Sequence, residues 1–120
     1  MTIRAFLIMM SLVFGATAAS AHAFLDHAAP PVGSTVQRAP AQISLWFTQE
    51  LEPAFSSVIV RNASGERVDK GNGHVDRSDK MRMQVSLKPL PPGTYKVIWH
   101  VLSVDTHTTQ GDFSLTVGGH

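Results

Sequence analysis

From residue 43 onward the apolar side chains recur at every second position. Ile43, Leu45 and Phe47 alternate with Ser44, Trp46 and Thr48, the period of a strand with one buried face. Met81, Met83, Val85 and Leu87 repeat the pattern against Arg82, Gln84 and Ser86. The β-branched run Ser57–Arg61 predicts another strand, and the turn cluster Asn62-Ala63-Ser64-Gly65 returns it through Glu66-Arg67-Val68. Pro89, Pro91, Pro92 and Gly93 end the strand before them, since proline cannot donate to a ladder and presets a turn. Thr94–Val101 and Asp112–Val117 complete the set, and a polar loop runs from Gly71 to Lys80. No amphipathic helix is visible in this part of the chain. About seven short strands, with turns roughly every 8–12 residues, predict an all-β domain: a β-sandwich or a small Greek-key barrel.

The first residues follow another rule. After Arg4, the fourteen residues Ala5–Ala18 carry no charge. That length suits the apolar centre of a secretory signal, whereas a membrane-spanning helix needs roughly 20 residues. Ala19-Ser20-Ala21 and Ala21-His22-Ala23 both present small residues at the positions a signal peptidase reads. The expected organisation is a leader over 1–21 and one domain over 22–120. Arg4 leaves with that leader, so the ten Lys and Arg of the whole chain fall to nine, against nine Asp and Glu. A balanced charge gives no electrostatic footprint for nucleic acid or for a membrane surface. An exported domain of this size often carries disulfides, but this chain has no cysteine, so packing alone must hold it.

The chemistry concentrates in Ser103-Val104-Asp105-Thr106-His107-Thr108-Thr109-Gln110-Gly111. Asp105 and His107 are two apart, and in extended backbone both would project from one face. A carboxylate beside an imidazole suits a divalent metal. Taken alone, the pair fits equally well a loop aspartate bonded to nearby backbone with an exposed histidine beside it. The leader boundary adds a second element. A cut after Ala21 makes His22 the first residue, offering its α-amine and imidazole Nδ1 as one chelate. An α-amine titrates close to neutrality, so a metal displaces its proton readily. With His107 and Asp105 the donor set is three nitrogens and one oxygen, which Cu(II) favours in tetragonal geometry. Zinc accepts similar donors in a tetrahedral array.

At these residues the chain resembles the CopC/PcoC family of small periplasmic copper-resistance proteins. The resemblance is carried by the signal ending before a histidine, Pro30-Pro31-Val32-Gly33-Ser34, Ile43–Thr48 and Leu51-Glu52-Pro53-Ala54-Phe55-Ser56. It continues with Gly93-Thr94-Tyr95-Lys96-Val97-Ile98-Trp99 and Ser103-Val104-Asp105-Thr106-His107 ahead of Gly111. It implies a cupredoxin-like, immunoglobulin-like Greek-key β-sandwich and Cu(II) held by His22, Asp105 and His107. It also implies cleavage after Ala21, a periplasmic location, and a separate CopD-type inner-membrane copper transport protein as partner. The expected state is a monomer with no catalytic residues. Two departures stand out. Only Met81 and Met83 follow the leader, and their strand spacing reads as core, so the methionine-rich Cu(I) site of some relatives is not expected here. Where relatives often carry a glutamate near the bound amine, this chain has Gln49, with Glu50 one step later.

The remaining histidines read more plainly. His100 shares parity with Lys96 and Ile98 on a sheet surface, His74 lies in the polar loop, and His120 ends the chain. His27 is near enough to His22 in sequence to approach the same ion. Trp46 and Trp99 read as packing, and the sequon Asn62-Ala63-Ser64 is explained by its turn. Two other functions compete with copper capture. A copper-dependent oxidative enzyme of the lytic polysaccharide monooxygenase type also uses an N-terminal histidine chelate. There Asp105, filling an equatorial position, would disfavour the reduced copper that oxygen activation needs. A metal-free immunoglobulin-like assembly module would treat both the leader boundary and Asp-x-His as accidents.

Overall fold

The computed structural model describes residues 23–119. Eight strands run in order: β1 Leu25–Ala29, β2 Thr35–Val36, β3 Gln42–Phe47, β4 Ser57–Arg61, β5 His74–Val75, β6 Arg82–Ser86, β7 Gly93–Leu102 and β8 Thr108–Val117. They form two four-stranded sheets, β1-β3-β6-β5 and β2-β8-β7-β4. All pairings are antiparallel except β2 with β8. Among the described residues the only helical segment is a 3₁₀ turn, Pro53–Phe55. The β-sandwich expectation holds and the barrel does not, because the two sheets remain separate layers.

The alternation seen in the sequence becomes the core. Ile43, Leu45 and Phe47 of β3 and Met83 and Val85 of β6 face Val58, Val60, Tyr95, Val97, Trp99, Val101, Phe113, Leu115 and Val117 of the other sheet, all buried. Each fully buried aliphatic side chain stabilises the sandwich by about 1.5–3 kcal/mol. This supplies the cohesion that a chain without cysteine needs. The polar end of buried Tyr95 is satisfied locally, its hydroxyl donating to the Pro91 carbonyl. Trp99 packs edge-on against Phe47, with ring centroids 5.2 Å apart and planes at 75°. Its indole also fills the space beside Gly111, where a Cβ would stand 2.6 Å from the ring.

The chain turns back through Glu66-Arg67-Val68 as expected, with Arg67 bridging Arg61 and the Val68 amide donating to the Val60 carbonyl at 2.9 Å. The work of that segment is done by Asp69, whose buried carboxylate accepts from the Val60 and Gly71 amides and from the Arg67 guanidinium. Of the two methionines read as core, Met83 is fully buried and Met81 is 36% exposed. His74, expected in a loop, begins the two-residue strand β5, with Nδ1 2.7 Å from the Asn72 carbonyl oxygen.

Candidate metal site

β7 and β8 pair along their whole length, from Gly93 with Val117 to Leu102 with Thr108. Ser103–His107 is therefore the turn that joins them. The Ser103 amide donates to the His107 carbonyl at 2.9 Å, and the Thr106 amide donates to the Ser103 carbonyl at 2.9 Å. Thr106 has φ 73°, in the left-handed region that β-branched residues seldom occupy. The backbone is thus a tight turn through Asp105 and His107, which corrects the expectation of an extended segment there. The two side chains meet nonetheless: Asp105 Oδ1 lies 3.4 Å from His107 Nδ1.

Ser103, which the sequence reading passed over, organises this turn. It is fully buried, donates its hydroxyl to the Asp105 carboxylate, and accepts from the His107 amide at 3.3 Å. Its hydroxyl is the main influence holding the Asp105 carboxyl below the ordinary carboxylate range; burial opposes this and His107 reinforces it. Asp105 is therefore a carboxylate at neutral pH, the form a cation requires.

The turn is fastened to the opposite sheet. The Val104 amide donates to the Glu50 carbonyl at 3.0 Å, Leu51 bridges Ser103, and the Glu52 amide donates to the Leu102 carbonyl at 2.8 Å. On the other side the first described residues come in. Ala23 is fully buried, and its carbonyl accepts the hydroxyl of Thr109, two residues beyond His107. Phe24 pairs with Thr48 in both directions, amide to Oγ1 at 3.0 Å and carbonyl to the Thr48 amide at 2.9 Å.

The spacing suits a metal. Two donors each about 2.0–2.2 Å from one ion stand roughly 2.9 Å apart at a right angle and about 3.4 Å apart at the tetrahedral angle. The observed 3.4 Å is the wide limit, and the imidazole of His107 is half exposed. Among the described residues no group of three or more His, Cys, Asp and Glu converges. His22, the third expected ligand, lies outside the described residues, as do the proposed leader 1–21 and His120.

His27 takes another place. Its ring stacks on Trp46 on the outer face of the first sheet, with centroids 4.5 Å apart and planes 7° from parallel, and its Nδ1 lies 2.7 Å from the Asp26 carboxylate. Arg82 flanks the same indole at 5.8 Å. His100 is exposed on the outer face of the second sheet, as expected. Trp99 lies in the core and Trp46 on a sheet face, also as expected. The Asn62 side chain is committed to its turn, accepting from the Ser64 and Glu66 amides. Clefts among the described residues are found on the outer face of the second sheet. One, about 500 Å³, runs over Ser57, Ile59, Ile98, His100, Gln110 and Asp112.

Fold and turn together define a small β-sandwich presenting an acid–histidine pair at one end. A CopC domain profile matches residues 25–118, and the chain belongs to the CopC domain family. It is 36% identical over 98 residues to Protein YobA of Escherichia coli K12, covering 81% of this chain and 79% of that one. It is 30% identical over 116 residues to copper resistance protein C of Xanthomonas campestris pv. juglandis, covering 92% and 91%. Against copper transport protein CutJ of Bacillus subtilis it is 30% identical over 113 residues; these are 93% of this chain but span only 21% of CutJ's length. Among solved structures, CopC from Methylosinus trichosporium OB3b superimposes with a TM-score of 0.73 at 30% identity, covering 82% of this chain and 96% of that one. PcoC, a methionine-rich copper resistance protein from Escherichia coli, gives 0.70 at 33% identity, covering 81% and 99%. Several of these relatives are named for copper transport or copper resistance.

Proposed function

We propose that this protein is exported to the periplasm, captures Cu(II) there, and buffers it or passes it to a CopD-type membrane transport protein. It acts as a binding protein with no catalytic step. The ligands are the α-amine and imidazole of His22, with Asp105 and His107. One observation carries this reading: Ala23 is packed into the core and hooked to Thr109 beside the Asp105–His107 turn. His22 is joined covalently to that fixed residue, so its nitrogens start within one peptide of the turn. The same observation favours cleavage after Ala21. A chain beginning at Phe24 would forfeit a fully buried residue and its hydrogen bond.

The choice of Cu(II) rests on donor chemistry. Nitrogen and carboxylate oxygen suit the cupric ion, whereas thioether sulfur suits Cu(I). Of the two described methionines, one is fully buried and cannot reach an ion at the surface. Release follows from the same donors: protonating the amine and His107, or reducing the ion to Cu(I), empties the set.

The test begins with the intact mass of protein secreted by its own host, expected to start at His22. Competitive Cu(II) titration then compares this form with one bearing a single extra residue ahead of His22. The processed form should bind far more tightly. Equal affinity, or a first residue at Phe24, would refute the assignment of the terminal amine.

A further inference from the structure

Ala23 C=O and Phe24 N–H belong to one peptide unit, a rigid plane. Thr109 donates its hydroxyl to the carbonyl edge of that plane, and the Thr48 hydroxyl accepts from the amide edge at 3.0 Å. The Thr48 amide adds a second tie, to the Phe24 carbonyl at 2.9 Å. Two threonines from different sheets thus grip opposite edges of the first described peptide. Thr109 stands out by its row. Along β8, Phe113, Leu115 and Val117 are buried toward the core, and Thr109 shares their parity. A half-buried hydroxyl continuing an apolar row needs a partner, and the Ala23 carbonyl is that partner. With this plane held and Ala23 fully buried, the point to which the preceding residue is bonded is fixed against the core.

We infer that Thr109 and Thr48 are positioning residues that set where the terminal histidine presents its nitrogens to the Asp105–His107 turn. This rests on the Cu(II) reading above and assigns its geometry to two hydroxyls that touch no metal. Groups that orient metal ligands from behind govern affinity by about 10–100-fold, which sets the size of the expected effect.

The experiment uses processed protein beginning at His22, with Thr109→Val, which keeps the branched shape and loses the hydroxyl, and Thr109→Ser, which keeps the hydroxyl. Thr48→Val serves as an independent second variant. Each is titrated with Cu(II) against a competing chelator, examined by electron paramagnetic resonance when loaded, and melted without metal. Thr109→Val should bind about 10–100-fold more weakly with an altered or heterogeneous cupric spectrum, and Thr109→Ser should restore both. In a background carrying one extra residue ahead of His22, Thr109→Val should add little further loss. An equal loss in both backgrounds would mean that the hydroxyl merely supports the fold, and the inference would be overturned. So would unchanged affinity and spectrum in both Thr109→Val and Thr48→Val. If the wild-type processed and extended proteins bind equally, the terminal-amine reading falls first and this inference with it.

Discussion

Two carboxylates show how single residues divide the labour in this molecule. Burial opposes the ionisation of Asp69, but hydrogen bonds from Arg67, Val60 and Gly71 outweigh it and hold the carboxyl well below the usual range. Arg67 is the largest of these influences, followed by the Val60 and Gly71 amides, and its half-exposed guanidinium discounts the ion pair's share of the stability. Because its folded-state pKa is depressed, Asp69 stabilises the fold fully above the unfolded value of about 3.9, and that contribution is lost as pH falls further. Urea unfolding midpoints should therefore hold steady from pH 7 to 5 and drop below pH 4. Asp69→Ala should cost about 1–3 kcal/mol at neutral pH and flatten part of that acid dependence. At Asp105 the sign is the same but the consequence is functional. Ser103→Ala removes the main group depressing its pKa, so protons should compete with Cu(II) at a higher pH. Chelator competition should show a larger loss of affinity at pH 4, near the ordinary carboxylate pKa, than at pH 7. A uniform loss at both would assign Ser103 to turn geometry alone.

At the level of the element, the β7–β8 hairpin joins core to site. Gly111 is placed there by packing, since any side chain would meet the indole of Trp99. Gly111→Ala should displace that ring from Phe47 and destabilise the protein by about 1–3 kcal/mol, read in denaturant melts and in the near-ultraviolet dichroism of tryptophan. At the turn, Thr106→Asn places a residue that tolerates positive φ where a β-branched one is strained. It should stabilise the protein by about 0.5–1 kcal/mol in the same melts. These elements differ in how legible they were. β3 and β6 announced themselves by alternating apolar and polar residues and β7 by its long run; burial alternates in β6 and β7, while in β3 Ser44 is buried with its apolar neighbours. β1 did not, because a register shift between Leu25 and His27 breaks its period and Asp26 and His27 are polar neighbours. β2 and β5 have two residues each, too few for any periodicity. The Asp105–His107 pair was readable from its residue types. Thr48 and Thr109 were not, because a hydroxyl's partner 24 or 86 residues away is set by sheet packing rather than by local spacing. Ser103 was not either: its partners are only two and four residues away, but its burial comes from the fold.

The molecule as a whole keeps its chemistry at one end. The walls there come from both sheets: the segment entering β1, the segment leaving β3, and the hairpin between β7 and β8. Main-chain hydrogen bonds tie the 50–52 segment to the end of β7, and the Ala23 carbonyl is held by Thr109 at the start of β8. Such stitching ties the rim to both sheets. Under the proposed copper reading, loading and unloading would proceed as ligand substitution at that rim, governed by acidity, electron supply or an incoming competitor. Amide spectra of empty and filled protein should coincide everywhere except at that rim.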